Sequence, residues 1–164
     1  MEIIQDTDKA IAVMYEVATW RVNQGIDPGD WWKPENMNRD FLLKHTEPNE
    51  YFVALDNGKL AASVILEDTE RNQDWSFIDK DDPKKALYIH WLCVARDFAG
   101  QGLSKVMIDF AAEEAKRRNL PRLRLDTDAE EKKLCQLYEG LGFNLMGIEG
   151  EGDHGVAYYQ REVK

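Results

Sequence analysis

Ala86-Leu87-Tyr88-Ile89-His90-Trp91-Leu92-Cys93-Val94 is a nearly unbroken apolar run, and its continuation decides how the chain is built. A run of this kind suits a strand covered on both faces. A turn with two glycines follows, Ala99-Gly100-Gln101-Gly102. Then Leu103, Val106, Met107, Phe110, Ala111 and Ala115 recur at helical spacing. Strand, glycine turn and helix together can make an anion site from backbone alone. The first amides of a helix lack internal partners, and the helix dipole is positive there. Glycine lets the main chain come close to a phosphate. The spacing fits neither a Walker loop nor the three-glycine dinucleotide fingerprint. An ordinary strand-to-helix connection is the alternative reading.

Toward the C-terminus, Asn119-Leu120-Pro121 stops the helix. Residues 122–127 alternate as a strand, and a helix is predicted over 129–141. Asp128 and Glu131 have capping-box spacing, and Leu134, Leu137, Tyr138 and Leu141 share one face. Strands over 143–148 and 156–163 flank an acidic glycine-rich turn, 149–155. Toward the N-terminus, residues 67–85 form a long acidic segment without a sustained period. Loops of that length are often lids or binding loops. Before it, residues 51–55 and 60–66 read as a hairpin closed by Asp56-Asn57-Gly58-Lys59. A helix is predicted over 34–45. The preceding loop carries Trp31 and Trp32, either as pins to the core or as the wall of a pocket. The first helix spans 7–24, with Ile11, Met14, Tyr15 and Ala18 on one face and Val13, Val17 and Trp20 widening it. The β-α-β-α-β stretch implies parallel neighbours and the hairpins antiparallel ones, giving a mixed sheet with helices on both faces.

At 164 residues the chain reads as a single domain over 1–164. Its formal charge of −10, from 31 acidic and 21 basic residues, disfavours nucleic-acid binding through a basic surface. An acidic surface is compatible with a cationic substrate, but plain solubility is the favoured reading of the overall charge, while the acidic loops favour a cationic amine over an acidic one. Cys93 and Cys135 read as packing residues rather than a disulfide framework or a metal site. No apolar run reaches membrane-spanning length, and the acidic start MEIIQDTDK lacks a signal-peptide core, so a cytoplasmic protein is expected.

Two motifs carry a resemblance. Leu92-Cys93-Val94-Ala95-Arg96-Asp97-Phe98-Ala99-Gly100-Gln101-Gly102-Leu103-Ser104 resembles the acyl-CoA-binding motif of the GNAT N-acetyltransferases. Further on, Leu137-Tyr138-Glu139-Gly140-Leu141-Gly142-Phe143 resembles their second signature, and the element order resembles the family over essentially the whole chain. Residues 1–5 stand where the family has its first strand. The resemblance implies an α/β, three-layer αβα fold with a mixed, mostly antiparallel central sheet splayed around acetyl-CoA. The splayed pair is the strand ending at Val94 and the strand over 122–127. Leu92, Cys93 and Val94 match backbone positions that hold the pantetheine arm. Ala99, Gly100, Gln101, Gly102, Leu103 and Ser104 match the pyrophosphate turn. Ala99 stands where the family has Arg or Gln, and Glu131 where it often has Asn. A homodimer fits both the resemblance and an exposed sheet edge.

The reaction so implied is direct transfer of an acetyl group to a primary amine of a small molecule or peptide, with no metal. Tyr138 matches the residue that protonates the leaving thiolate; otherwise it is a core aromatic. The Val94 amide matches the oxyanion donor. His90, sharing a face with Leu92 and Val94 by alternation, is a candidate base or a hydrogen-bonded core histidine. Glu67 is the other candidate base, or a solvated strand-end carboxylate. Cys93 is not read as a nucleophile. The acceptor is expected near Trp20, Trp31, Trp32, Trp91 and the loops 67–85 and 149–155. Two other readings stand beside this one: a non-catalytic acyl-CoA-binding module, and an acyl-CoA enzyme using another acyl group or a hydroxyl acceptor.

Overall fold

A computed structural model describes residues 1–71, 74–150 and 155–164. It contains two compact units, Met1–Leu66 with Trp91–Ile108, and Glu67–His90 with Asp109–Lys164. The strands follow the hydrogen-bonded order β1-β2-β3-β4-β5-β7-β6. They are β1 (Glu2–Gln5), β2 (Tyr51–Asp56), β3 (Lys59–Glu67), β4 (Leu87–Val94), β5 (Arg122–Asp128), β6 (Asn144–Glu149) and β7 (Val156–Glu162).

In the first unit, β1 runs antiparallel to β2 with Ile3 opposite Ala54, so residues 2–5 are indeed a strand. The β2–β3 hairpin closes through Asn57 at φ 49° and Gly58 at φ 79°. A two-residue turn matching the strand twist needs both residues left-handed, which Asn-Gly tolerates best. Helix α1 (Thr7–Asn23) starts at Asp6, whose Oδ1 accepts the Lys9 amide at 3.0 Å. Its buried face is Ala10, Ile11, Val13, Met14, Val17 and Ala18; Tyr15 is half exposed, contrary to the sequence reading. The helix predicted over 34–45 is broken. A 3-10 turn at Pro34–Asn36 gives way to a four-residue helix, α2 (Arg39–Leu42). Asn38 is the cause: it is extended, and its Oδ1 accepts the Phe41 amide at 2.9 Å, which makes it an N-cap rather than a helix interior.

In the second unit, β4 and β5 are parallel, pairing Leu87 with Leu123 and Tyr88 with Arg124. The other described pairings of β5, β6 and β7 are antiparallel. The predicted run of parallel neighbours is therefore corrected: β7 inserts between β5 and β6 and pairs with both. Helix α4 (Leu103–Arg117), whose residues up to Ile108 belong to the first unit, buries Leu103, Met107, Ile108, Ala111, Ala112 and Ala115, while Val106 is exposed. The apolar stripe continues on the Ile108 flank instead of the Val106 flank, a choice the period alone does not make. Helix α5 (Lys132–Gly140) begins later than predicted. The Asp128 carboxylate is used in a turn, accepting the Glu130 amide at 2.9 Å, so the capping-box spacing goes unused.

The described part of the 67–85 segment is fastened down. Trp75, 1% exposed, begins the short helix α3 (Ser76–Asp79). The Glu70 carboxylate accepts its amide at 3.0 Å. The Arg124 guanidinium lies 4.2 Å from the Trp75 ring centroid and donates to both Asp79 oxygens at 2.7 and 2.8 Å. It also donates to Gln160 at 2.9 Å and to Tyr88 at 3.3 Å. Residues 74–79 are a clamp rather than a free lid.

Candidate active site

In the first unit, β4 carries one backbone irregularity of consequence. Trp91 sits at φ 56°. A bulky residue in the left-handed region costs about 1–3 kcal/mol and persists only where its surroundings impose it. It interrupts the extended backbone on which the two-residue alternation from His90 to Leu92 depends. Beyond it, Cys93 and Ala95 are buried in the core cluster with α1. The Cys93 Sγ lies 3.3 Å from the Ser63 hydroxyl, and burial pushes the thiol up to about 12. Cys93 is thus inert packing on its side-chain side, as the sequence reading has it.

The turn after β4 is anchored at its root. The Ala95 amide donates to Ala61 at 2.9 Å and the Arg96 amide to Glu16 at 3.1 Å. The Arg96 guanidinium stacks 3.6 Å from the Trp20 ring centroid, which occupies one face of that ring. Gly100 and Gly102 then adopt φ 77° and 78°. A Cβ at either would meet nothing within 4 Å, so these glycines serve backbone conformation, not close packing. Ala99, Gly100, Gln101 and Gly102 are exposed, and the first turn of α4 holds no acidic residue. An exposed left-handed turn feeding a helix start free of carboxylates fits a pyrophosphate well.

Trp31, Trp32 and Trp91 do come together. Trp32 lies 4.8 Å and Trp31 6.4 Å from Trp91, ring centroid to centroid. Trp31 also meets Phe41 at 6.0 Å and His45 at 5.0 Å; His45 is a member the sequence reading did not include. The two readings of the tryptophan pair are shared out: Trp32 packs on the core cluster, and Trp31 is 46% exposed.

In the second unit, Glu67 and His90 form a pair. The Glu67 Oε2 lies 3.3 Å from His90 Nε2, and the Arg71 guanidinium donates to Glu67 Oε1 at 2.7 Å. Glu67 is buried, not a solvated strand end, and the His90 side chain is 26% exposed. Burial acts to lower the imidazole's proton affinity, but the hydrogen bond and charge of Glu67, then Asp126 and Asp74, raise it above the ordinary histidine value. The two candidate bases are therefore one unit. Tyr138 is buried on α5, 6.0 Å from Phe143 and 6.2 Å from Tyr159. Asp126, absent from the sequence reading, is raised by burial and lowered by His90. Its signal was a carboxylate on the alternating face of a strand that also presents Arg122 and Arg124. Of the expected acceptor loops, residues 72–73 and 151–154 lie outside the described residues. Among the described residues, no cluster of His, Cys, Asp and Glu is suited to a metal ion, and no helix is long and apolar enough to cross a membrane.

Comparison with known proteins places this geometry. The model of the acetyltransferase (GNAT) family matches residues 15–143. A Bacillus subtilis protein named uncharacterized N-acetyltransferase YesJ is 26% identical over 163 residues, 98% of this chain and 87% of that protein. The crystal structure of a GNAT-family acetyltransferase from Listeria monocytogenes superposes with a TM-score of 0.76 at 25% identity, covering 98% of this chain and 94% of the other. A putative streptothricin acetyltransferase from Bacillus anthracis, in complex with acetyl coenzyme A, gives a TM-score of 0.56 at 21% identity over 70% of this chain and 62% of its own. At that identity the likeness is one of fold.

Proposed function

The chain belongs to the GNAT acetyltransferase family and is an acetyl-CoA-dependent acyltransferase; from this premise we propose that it acetylates a primary amine of a small molecule or peptide by direct transfer. Bound acetyl-CoA supplies an activated carbonyl and a thiolate leaving group. The amides of the turn at residues 99–104 bind its pyrophosphate, and the backbone at Leu92, Cys93 and Val94 orients its pantetheine arm, with the Val94 N–H aimed at the carbonyl oxygen. His90 takes the proton that the amine must lose. With Nε2–H donating to Glu67, Nδ1 carries the lone pair that accepts it, and the Glu67 carboxylate holds the resulting charge. The Tyr138 hydroxyl gives a proton to the departing sulfur. Trp31, Trp32 and Trp91 contribute to acceptor recognition.

The observation that carries this reading is the buried Glu67–His90 contact at 3.3 Å, a carboxylate–imidazole pair whose imidazole stands on β4. Thiol release from acetyl-CoA across a panel of primary amines tests it. Release that persists with a full pH–rate profile in both His90→Ala and Glu67→Ala removes the base assignment. Acetyl-CoA binding without release from any amine favours the non-catalytic module. Two free cysteines support a reducing, cytoplasmic setting. Exposed Leu145, Met146 and Ile148 on edge strand β6 support pairing with a second copy.

A further inference from the structure

We propose that Asp126 selects the acceptor: its carboxylate, in register with His90 on one face of β4 and β5, holds the acceptor's alkylammonium group beside the imidazole, so the enzyme favours cationic primary amines over weakly basic ones. This deepens the acetyltransfer reading and rests on it.

The geometry follows from the ladder. Parallel strands in register point partner residues to the same face. Leu87 pairs with Leu123 and Tyr88 with Arg124. Tyr88 and Arg124 do share a face, because the guanidinium reaches the Tyr88 hydroxyl at 3.3 Å. Two residues further along each strand stand His90 and Asp126, on that same face. Across β7 the register puts Gln160 opposite Arg124 and Tyr158 opposite Asp126. Two adjacent rows therefore cross the three strands: Tyr88–Arg124–Gln160, then His90–Asp126–Tyr158. The second row lies one pair past Tyr88–Arg124, and the charges of Asp126 and His90 act on one another there.

The neighbouring carboxylates are already committed. Glu67, facing His90 from β3, is engaged by His90 and Arg71. Glu70, ahead of α3, accepts the Trp75 amide with both oxygens, at 3.0 and 3.1 Å. Asp74, in the same segment, is exposed. Asp126 is half-buried: burial first pushes its carboxyl up, the charge of His90 pulls it back, and among the described residues no hydrogen bond acts on it. Tyr158, its cross-strand partner, is held in the neutral phenol form by burial first and then by Asp126. A carboxylate so placed gains most from a cation that brings its own hydrogen-bond donors. An alkylammonium does this, and its N–H then breaks toward the imidazole, leaving the nitrogen lone pair to attack while Asp126 stays ionised.

The test compares wild type, Asp126→Asn and Asp126→Glu in acetyl-CoA thiol release with two acceptors: 2-phenylethylamine, cationic at neutral pH, and aniline, neutral there. The expected result for D126N is a KM for phenylethylamine raised about tenfold or more, with kcat changed less and a several-fold smaller loss with aniline. D126E restores most of the loss. The His90 imidazole, followed by NMR, titrates at lower pH in D126N. Equal losses with both acceptors in a folded D126N, no change with either, or an unmoved His90 titration each overturn the proposal. If the wild type itself releases thiol with neither amine, nor with any of the wider panel, the acetyltransfer reading falls, and the inference with it.

Discussion

Two rows of side chains cross the same three strands one step apart, and they are used in opposite ways. In Tyr88–Arg124–Gln160, the central cation is 1% exposed and held by Asp79, Gln160, Tyr88 and the face of Trp75. In His90–Asp126–Tyr158, the central anion is half-buried and carries no such set of partners. Both rows bury charge, which is costly unless it is paired. The first row is satisfied from within and fixes the 74–79 segment onto the sheet. The second is completed only by a group from outside. The lesson is that saturation, more than burial or charge, separates a structural network from a reactive one.

The contrast can be broken most forcefully at its structural end. Arg124→Met leaves Asp79 buried without its cation, and a stability loss of about 3–5 kcal/mol is expected in chemical denaturation. A loss under 1 kcal/mol would mean that the clamp is dispensable. Tyr138→Phe, by contrast, is expected to leave the denaturation midpoint nearly unchanged while lowering kcat about 100-fold; full turnover ends its role as proton donor. Glu67→Gln sharpens the reactive row. Activity requires the neutral imidazole, so kcat/KM rises with pH through the His90 pKa. Glu67 raises that pKa. Its removal lowers it, and the acid limb of the profile moves to lower pH, although the maximum rate falls. A limb that stays in place assigns the titration to another group. The smallest effect belongs to the turn at residues 99–104, proposed to bind the pyrophosphate. Gly102→Ala meets no atom but must hold φ 78°, so a cost of about 1 kcal/mol and a several-fold higher KM for acetyl-CoA are expected, with kcat kept.

Local chemistry was readable from the sequence wherever it decides local structure. Asn57-Gly58 closes its hairpin, the Asp6–Asp8 region caps α1, and Gly100 and Gly102 need the backbone that only glycine adopts freely. The motif resemblance located the turn and Tyr138. What escaped were choices made by a competing local bond or by a distant partner. Asn38 could continue a helix or cap one, and it caps. Asp128 could cap α5 or close the turn ahead of it, and it closes the turn. The insertion of β7 between β5 and β6 leaves no trace in either helix. Glu67 and His90 were each visible alone, but their contact spans 23 positions and depends on how the sheet is assembled. Asp126 acquires meaning only through strand register, which a single strand's alternation does not encode.

The buried thiol of Cys93 carries a kinetic consequence. Burial pushes the thiol up to about 12, so it stays un-ionised near neutral pH, and only the thiolate is a good nucleophile. Cys93, on the strand proposed to support the pantetheine arm, is therefore no resting place for the acetyl group. Direct transfer as proposed has donor and acceptor bound at once, and initial rates measured against either substrate at fixed levels of the other should then give intersecting lines rather than the parallel lines of a substituted enzyme.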